Sequence, residues 1–541
     1  MRRQFPRIAQ LTRRDLLRYM GVAGLLLAGG CSNNTATAPL SGAIGTGADA
    51  GLDISAVRVA FLNYPDSFDP ARARATEAVQ CAYALYDALT YIRPDLTAEP
   101  LLAVSWQTTA DRLAWSFELQ RDVRFHNGAL MTAADVAYTF NRILDPVLES
   151  PIRLIFDFIE QVEVVDEYAV RFVLSSPNAD LPLLVGAPLT GIVPNNISSA
   201  ALSTQPVGVG AWRVAETEHG KSIRFARNTD YWNKGYEMQF DTLEYRYFSS
   251  IAEQVEAVLA NEIDLIPDVP PPSLETFTST PSLTVQEVPS ARFQAIVMRA
   301  DLPPFDNPRV REAMKLCMDR AAIQQQVLAG RGVLASDQPI APVHPFQAEL
   351  TPRPYDPEQA RQLLLQAGYP NGLQLSLITS PIAPGLVEMA QLFQTMALPA
   401  GIEIEVISVP PDVYLTDYAG RASLHAIAWG MRPSVDETLT SSYYSQAPTN
   451  YSHYVNPELD RMIEAGRSES DPARRAEQYR AVQELIMRDA AMIIPCFIPV
   501  LMAIHKSMEG FSSHPTGWLE YSGVHRIAVN DQAGVYRQAG S

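Results

Sequence analysis

Apolar positions along the chain follow two distinct periods. In "RLAWSFELQ" (112–120), Leu113, Trp115, Phe117 and Leu119 alternate with polar or small residues, the period-two pattern of a half-buried strand. "VRFHNG" (123–128) extends it to a turn at Asn127-Gly128. The same alternation predicts strands at 169–174, 222–228 and 241–248, and "VRVAFL" (57–62) reads as another. Elsewhere the period lengthens to that of a helix. Val79, Ala82, Tyr83, Tyr86 and Leu89 predict one over 76–90. Thr132 and Asp135 open a second over "TAADVAYTFNRIL", which Pro146 stops. Ser250 and Glu253 form a capping box, and Asn261 suits a left-handed end. Asp356-Pro357 starts a helix that Gly368 ends, and Asp471 begins another over 471–489. Mixed strands and helices without a short repeat predict an α/β protein with several sheets.

The first 30 residues break this pattern. Arg13 and Arg14 precede an apolar run, Tyr19 to Gly30, of about a dozen residues, against the roughly 20 a membrane-spanning helix needs. A basic start, an apolar middle and small residues at the end form a signal-peptide layout for 1–30. "TRRDLLR" looks like a twin-arginine export signal, with general secretion as the alternative. "AGGC" resembles a lipoprotein cleavage box, with Cys31 as the lipidated residue; Ala28 stands where Leu is usual. Residues 31–54 are small, polar and Gly-rich, the composition of a flexible tether.

Composition narrows the class. The chain has 541 residues, 47% hydrophobic and 19% charged, ordinary for a globular protein, and its length calls for two or three domains. The net charge is −18; the first 30 residues hold six Arg and one Asp, leaving about −23 on the remainder, which argues against nucleic acid. Cys81, Cys317 and Cys496 are too few and too widely spaced for a disulfide framework, so they are expected buried and unpaired. No CxxC, HExxH, GxSxG or phosphate loop occurs, and the eight histidines lack metal-ligand spacing, so neither a cofactor nor a metal is expected.

Several segments together resemble one family. "SFDP" (67–70), the block 99–146, "VGVGAWRV" (207–214), "ARNTDYWNKG" (226–235), "LANEIDLI" (259–266), "PPFDNPRVREAMKLCMDRAAI" (303–323) and "YDPEQARQLLLQAGYPNG" (355–372) are similar to the large solute-binding proteins of bacterial ABC importers, family 5, the oligopeptide- and dipeptide-binding type. The resemblance implies a two-lobed periplasmic-binding-protein fold (type II, large cluster C) with an extra subdomain. By analogy 55–90, 201–290 and 500–541 form the lobe I core, 91–200 the extra subdomain and 291–499 lobe II. It also implies a monomer in the periplasm or on the outer face of the cytoplasmic membrane, anchored through Cys31. Such a protein passes a small molecule or peptide to an ABC permease and catalyses nothing.

The resemblance further directs attention to "AIAWGMRPSVDETL" (426–439). In peptide-binding relatives a Trp here is followed three residues on by an Asp that pairs with the ligand's amino group. This chain has Trp429, but Arg432 takes the aspartate's place. A guanidinium repels ammonium and holds carboxylate. Arg432 is therefore a candidate contact for an acidic or polar group, with Trp429 beside it and Asp436 in reserve for an amine; the alternative is an Arg paired with a nearby acid at the cleft rim. Tyr64 and Asp66, before "SFDP", lie in a loop that approaches the cleft in relatives. Tyr443 and Tyr444 are further candidates, with packing as the alternative. Trp106, Trp115 and Trp212 are expected in the core, and Arg309 and Arg311 at a helix start near the surface. Two other readings are an exported enzyme and a sensor or chaperone on the same scaffold.

Overall fold

A computed structural model describes residues 55–527. The export signal with Arg13 and Arg14, the lipidation candidate Cys31 and the tether lie outside the described residues. Among the described residues no helix is long and apolar enough to cross a membrane.

The predicted elements form with few changes. Strands occupy Ala56–Phe61, Ala114–Leu119, Ala169–Leu174, Ser222–Arg227 and Thr242–Tyr247. Ser250 Oγ accepts from Glu253 N at 3.2 Å, Asp356 from Gln359 N at 2.8 Å and Asp471 from Arg474 N at 2.9 Å, so all three expected caps form. The Glu253 carboxylate turns to Ser249 N rather than completing the box on Ser250. Asn261 takes φ 60°. The helix predicted over 76–90 spans only Thr76–Leu85. It stops because the next carbonyls are claimed from outside: Leu85 O accepts from Gly210 N and Asp87 O from Ile192 N, both at 3.0 Å. "VRFHNG" is not a strand; it leaves the sheet so that the half-buried His126 ring can meet Gly210 O at 3.1 Å and Gly208 N at 3.3 Å.

A 12-stranded sheet forms the backbone of the molecule. Ile402–Ser408, Leu373–Thr379 and Leu424–Trp429 make one end, with the first two parallel. Leu265–Ile266, Ala56–Phe61, Thr242–Tyr247, Ser222–Arg227 and Trp212–Glu218 make the other. Two long antiparallel strands join them, Leu283–Met298 and Cys496–His505. Their ladder breaks in the middle. Val288 faces Val500 and Arg292 faces Ile498, so residues 289–291 bulge opposite Pro499. Pro289 and Pro499 have no N–H to donate, which is why pairing fails there.

The buried core divides at the same place. One hydrophobic cluster draws every member from Ala291 to Phe497. Three others draw theirs from the chain before and after that stretch. One of these fills the space between the four-stranded sheet containing Ala114–Leu119 and the helix Ala133–Leu144. There Phe140 meets Phe156 and Phe172 edge-on at 5.7 and 4.9 Å, contacts worth about 1 kcal/mol each beyond burial. Asp69 of "SFDP", wholly buried, ties the first strand's loop to that body by accepting from Arg142 and from Ser199 Oγ at 2.6 Å.

Trp115 and Trp212 lie in the core and Trp106 packs against it. Cys81, Cys317 and Cys496 are buried free thiols. Arg309 is exposed at the start of the helix Pro308–Leu316, but Arg311 is buried, contrary to the surface position expected. Its guanidinium is held by Phe305 O at 3.0 Å and by Asp489 Oδ1 at 2.7 Å, which meets the cost of burying the charge.

Candidate ligand-binding site

The strand Leu424–Trp429 ends beside the broken crossover, because Trp429 is in register with Phe293. The Trp429 ring stacks on Phe293 at 6.2 Å and lies 5.8 Å from Tyr451; its Nε1 is buried without a partner. The next residue, Gly430, faces open space: a Cβ there meets nothing within 4 Å. Met431 Sδ lies 3.4 Å from both Ser290 Oγ and Ala291 N in the bulge. Ser290 in turn donates to Pro515 O at 2.6 Å. The segment that carries Trp429 is thus fastened to the point where the chain crosses.

Arg432 keeps about a third of its side chain exposed. Its Nε donates to Ser441 Oγ at 3.1 Å, and Nη1 sits 3.6 Å from Glu437 Oε1. The backbone below it is fixed by the His344 ring, 2.9 Å from Arg432 O. Burial pushes His344 down to about 4, so this ring is neutral at pH 7. Burial also raises Glu437 above the usual carboxylate range, with Arg432 pulling it back.

The remaining sequence candidates separate into different surroundings. Both Asp436 oxygens are taken by Arg467 Nε, at 3.1 and 2.9 Å, and the carboxylate is buried. Tyr443 is fully buried in the core. The Tyr444 hydroxyl donates to Glu464 at 2.5 Å. Tyr64 packs edge-on to His219 and Tyr247, at 4.7 and 4.9 Å. Asp66 accepts from Arg74 N and Ala75 N, just ahead of the helix Thr76–Leu85. Trp429 and Arg432 share one short segment after the strand Leu424–Trp429, while Asp436, Tyr443, Tyr444 and Asp66 have protein partners or core packing of their own.

Residues that the sequence reading passed over connect the two bodies. Asp180 Oδ1 accepts from Arg475 Nη1 and its Oδ2 from Ser434 Oγ, both at 2.6 Å. Ala179 N donates to Arg467 O at 2.9 Å, and Arg112 donates to Ser468 O. The readable signal was Arg475 itself. It shares a helix face with Tyr479, Val482 and Ile486, and a charge on an apolar stripe must find a buried partner. Among the described residues no group of three His, Cys, Asp or Glu is placed to hold a metal ion.

Residues 97–451 match the family model described as bacterial extracellular solute-binding proteins, family 5, middle. The dipeptide-binding protein of Pseudomonas aeruginosa is 25% identical over 497 residues, covering 85% of this chain and 93% of its own length. The glutathione-binding protein GsiB of Escherichia coli is 24% identical over 464 residues, with 82% and 89% covered. Among solved structures, the substrate-binding protein CtaP of Listeria monocytogenes superposes with a TM-score of 0.79 at 20% identity, covering 87% of this chain and 99% of its own. The binding protein MoaA of Agrobacterium tumefaciens R10, in complex with mannopinic acid, gives 0.73 at 25% identity, covering 87% and 99%.

Proposed function

Because the chain belongs to the bacterial extracellular solute-binding proteins of family 5, we propose that it captures a small carboxylate-bearing solute, a short peptide or peptide-like acid, between two hinged lobes and delivers it to an ABC permease. The supporting observation is the arrangement at Trp429–Arg432. An aromatic wall, open space at Gly430 and a partly free guanidinium sit beside the one place where both crossing strands lose their pairing. In this reading lobe II is 291–499 and the hinge is the Pro289–Ala291 bulge with Pro499. Closure is a hinge motion that absorbs backbone change in a few residues. Micromolar binding needs about −8 kcal/mol, within reach of apolar enclosure plus a few dry polar contacts.

Arg432 gives the site its sign. Its partner Glu437 at 3.6 Å is too distant for a strong hydrogen bond, so the guanidinium can exchange it for a ligand carboxylate. Asp436, committed to Arg467 of the same lobe, is not free to meet an amine. Relatives whose names speak of dipeptides and glutathione, and a neighbour holding mannopinic acid, suit a ligand with at least one carboxylate. The protein works as a monomer outside the cytoplasmic membrane, held there through a lipid on Cys31.

Calorimetry with di- and tripeptides against small acidic solutes tests this. Binding that requires a ligand carboxylate and falls at least tenfold in Arg432→Ala supports it. Binding that survives loss of the carboxylate, or is unchanged in the variant, removes Arg432 from the site.

A further inference from the structure

A cavity of about 400 Å³ is lined by none of the Trp429–Arg432 segment. Its walls come from residues 83–101, 186–188, 211–212, 231–236 and 518–522, and none from 291–497. It therefore belongs to one body and does not need closure to exist. Its volume is in the range of small-ligand pockets.

The lining has one chemical character. Tyr83, Tyr91, Tyr231, Tyr236 and Trp518 present rings from three separate stretches of chain. Tyr83 stacks on Trp518 at 5.7 Å and Tyr231 meets Tyr236 edge-on at 5.5 Å, so these rings hold one another in place. Three carboxylates, Asp87, Glu99 and Glu520, share the space, while no Lys or Arg is among the lining residues. Glu99 is answered at the rim by Arg93 at 3.1 Å. Asp87 and Glu520 are not answered by any cation. Asp87 accepts from Trp232 Nε1 at 2.7 Å and Tyr231 Oη at 3.1 Å; Glu520 accepts from Tyr83 Oη at 3.2 Å and from Tyr521 and Ser522 N–H. Among the described residues neither forms an ion pair.

We propose that this cavity is a binding site for a small organic ammonium ion, separate from the cleft ligand. The faces of tyrosine and tryptophan rings attract a cation, more strongly as water is removed, and alkyl substituents on nitrogen fill the aromatic walls. Two carboxylates without a basic partner supply the net charge that a cation neutralises. An anionic or neutral guest has no such gain. Asp87 is pushed up to about 7 chiefly by burial, and the nearby Glu520 carboxylate adds to it.

The test uses the full chain with choline as probe and 3,3-dimethyl-1-butanol as its neutral isostere, followed by calorimetry and tryptophan fluorescence. Choline is expected to bind in a one-to-one ratio and the alcohol at least tenfold more weakly. Glu520→Gln is expected to weaken choline at least tenfold. Trp518→Leu, at the partly exposed rim, is expected to do the same and serves where the first variant misfolds. Arg432→Ala is expected to leave choline binding unchanged, which separates this site from the cleft reading. Equal binding of choline and the alcohol, absence of choline binding to the folded chain, or choline binding unaltered in both Glu520→Gln and Trp518→Leu would overturn the proposal.

Discussion

Asp180 Oδ1 lies 2.6 Å from Arg475 Nη1, and the two residues belong to bodies whose hydrophobic cores are separate. Both side chains are about nine-tenths buried, and Ser434 Oγ takes the second Asp180 oxygen. Arg475 is further held by Gly466 O at 2.9 Å and Tyr479 Oη at 3.2 Å. The guanidinium is therefore preorganised on one body, and Asp180 arrives from the other. A buried pair of this kind contributes little net stability, but removing one partner leaves an unpaired charge at a cost of about 3–5 kcal/mol.

That asymmetry makes the pair a latch. Asp180→Asn leaves both bodies folded, because neither core loses an apolar side chain, but it leaves Arg475 unpaired whenever the bodies meet. The expected outcome is a shift toward separated lobes and a fall in solute affinity of at least tenfold, about 1.4 kcal/mol. Calorimetry alongside circular dichroism checks it. Asp180→Asn combined with Arg475→Met is expected to recover part of the loss, since the stranded charge is gone.

Three buried histidines set the response to acid. His344, His425 and His514 are each pushed down to about 4, chiefly by burial. An unfolded His titrates near 6.5, so between pH 6.5 and 4 the unfolded chain binds more protons than the fold. Their stabilising contribution is complete above about pH 6.5 and is lost as pH falls to 4, on the order of 3 kcal/mol each as an upper figure. Asp87 runs the other way: raised to about 7, it favours the fold at low pH and loses that contribution as pH rises from about 4 to 7. Glu437, also raised by burial, acts in the same sense as Asp87, so the histidine share is read by removing one ring and comparing denaturant midpoints from pH 7 to 4.5. His514→Gln is expected to lose less stability than the parent chain over that range, because one of the three depressed imidazoles is gone.

Gly208 is expected to tolerate no side chain. A Cβ there would sit 2.0 Å from Leu85 O, where the "VGVGAW" loop crosses the end of the helix Thr76–Leu85. Gly210 N depends on the same carbonyl. Gly208→Ala is expected to cost about 1–3 kcal/mol in equilibrium unfolding, whereas Gly430→Ala, which meets open space, is expected to cost little.

The elements were legible where their determinants are local. Asp356, Asp471 and Ser250 cap the helices that follow them because capping involves residues only three apart. The alternation in 112–120 and 241–248 reported strands for the same reason. Trp429 and Arg432 are proposed as site residues because a short motif carries them. What stayed hidden was long-range. Nothing local told the helix over 76–90 to stop at Leu85, since the groups that stop it come from Ile192 and Gly210. Asp180 and Arg475 are 295 positions apart, and Tyr83 meets Glu520 across 437. Such pairs become visible only once the sheet has brought their elements together.

The proposed motion is a hinge at Pro289–Ala291 and Pro499 that closes two bodies on a solute. Spin labels on Thr109 and Arg474, exposed positions on the two bodies, give the most direct measurement: the interlabel distance by pulsed electron resonance, in protein as isolated and after its solute has been stripped and restored. A longer, broader distance distribution is expected in the stripped protein, with recovery of the short distance when solute returns. One unchanged distance in all three samples would contradict it.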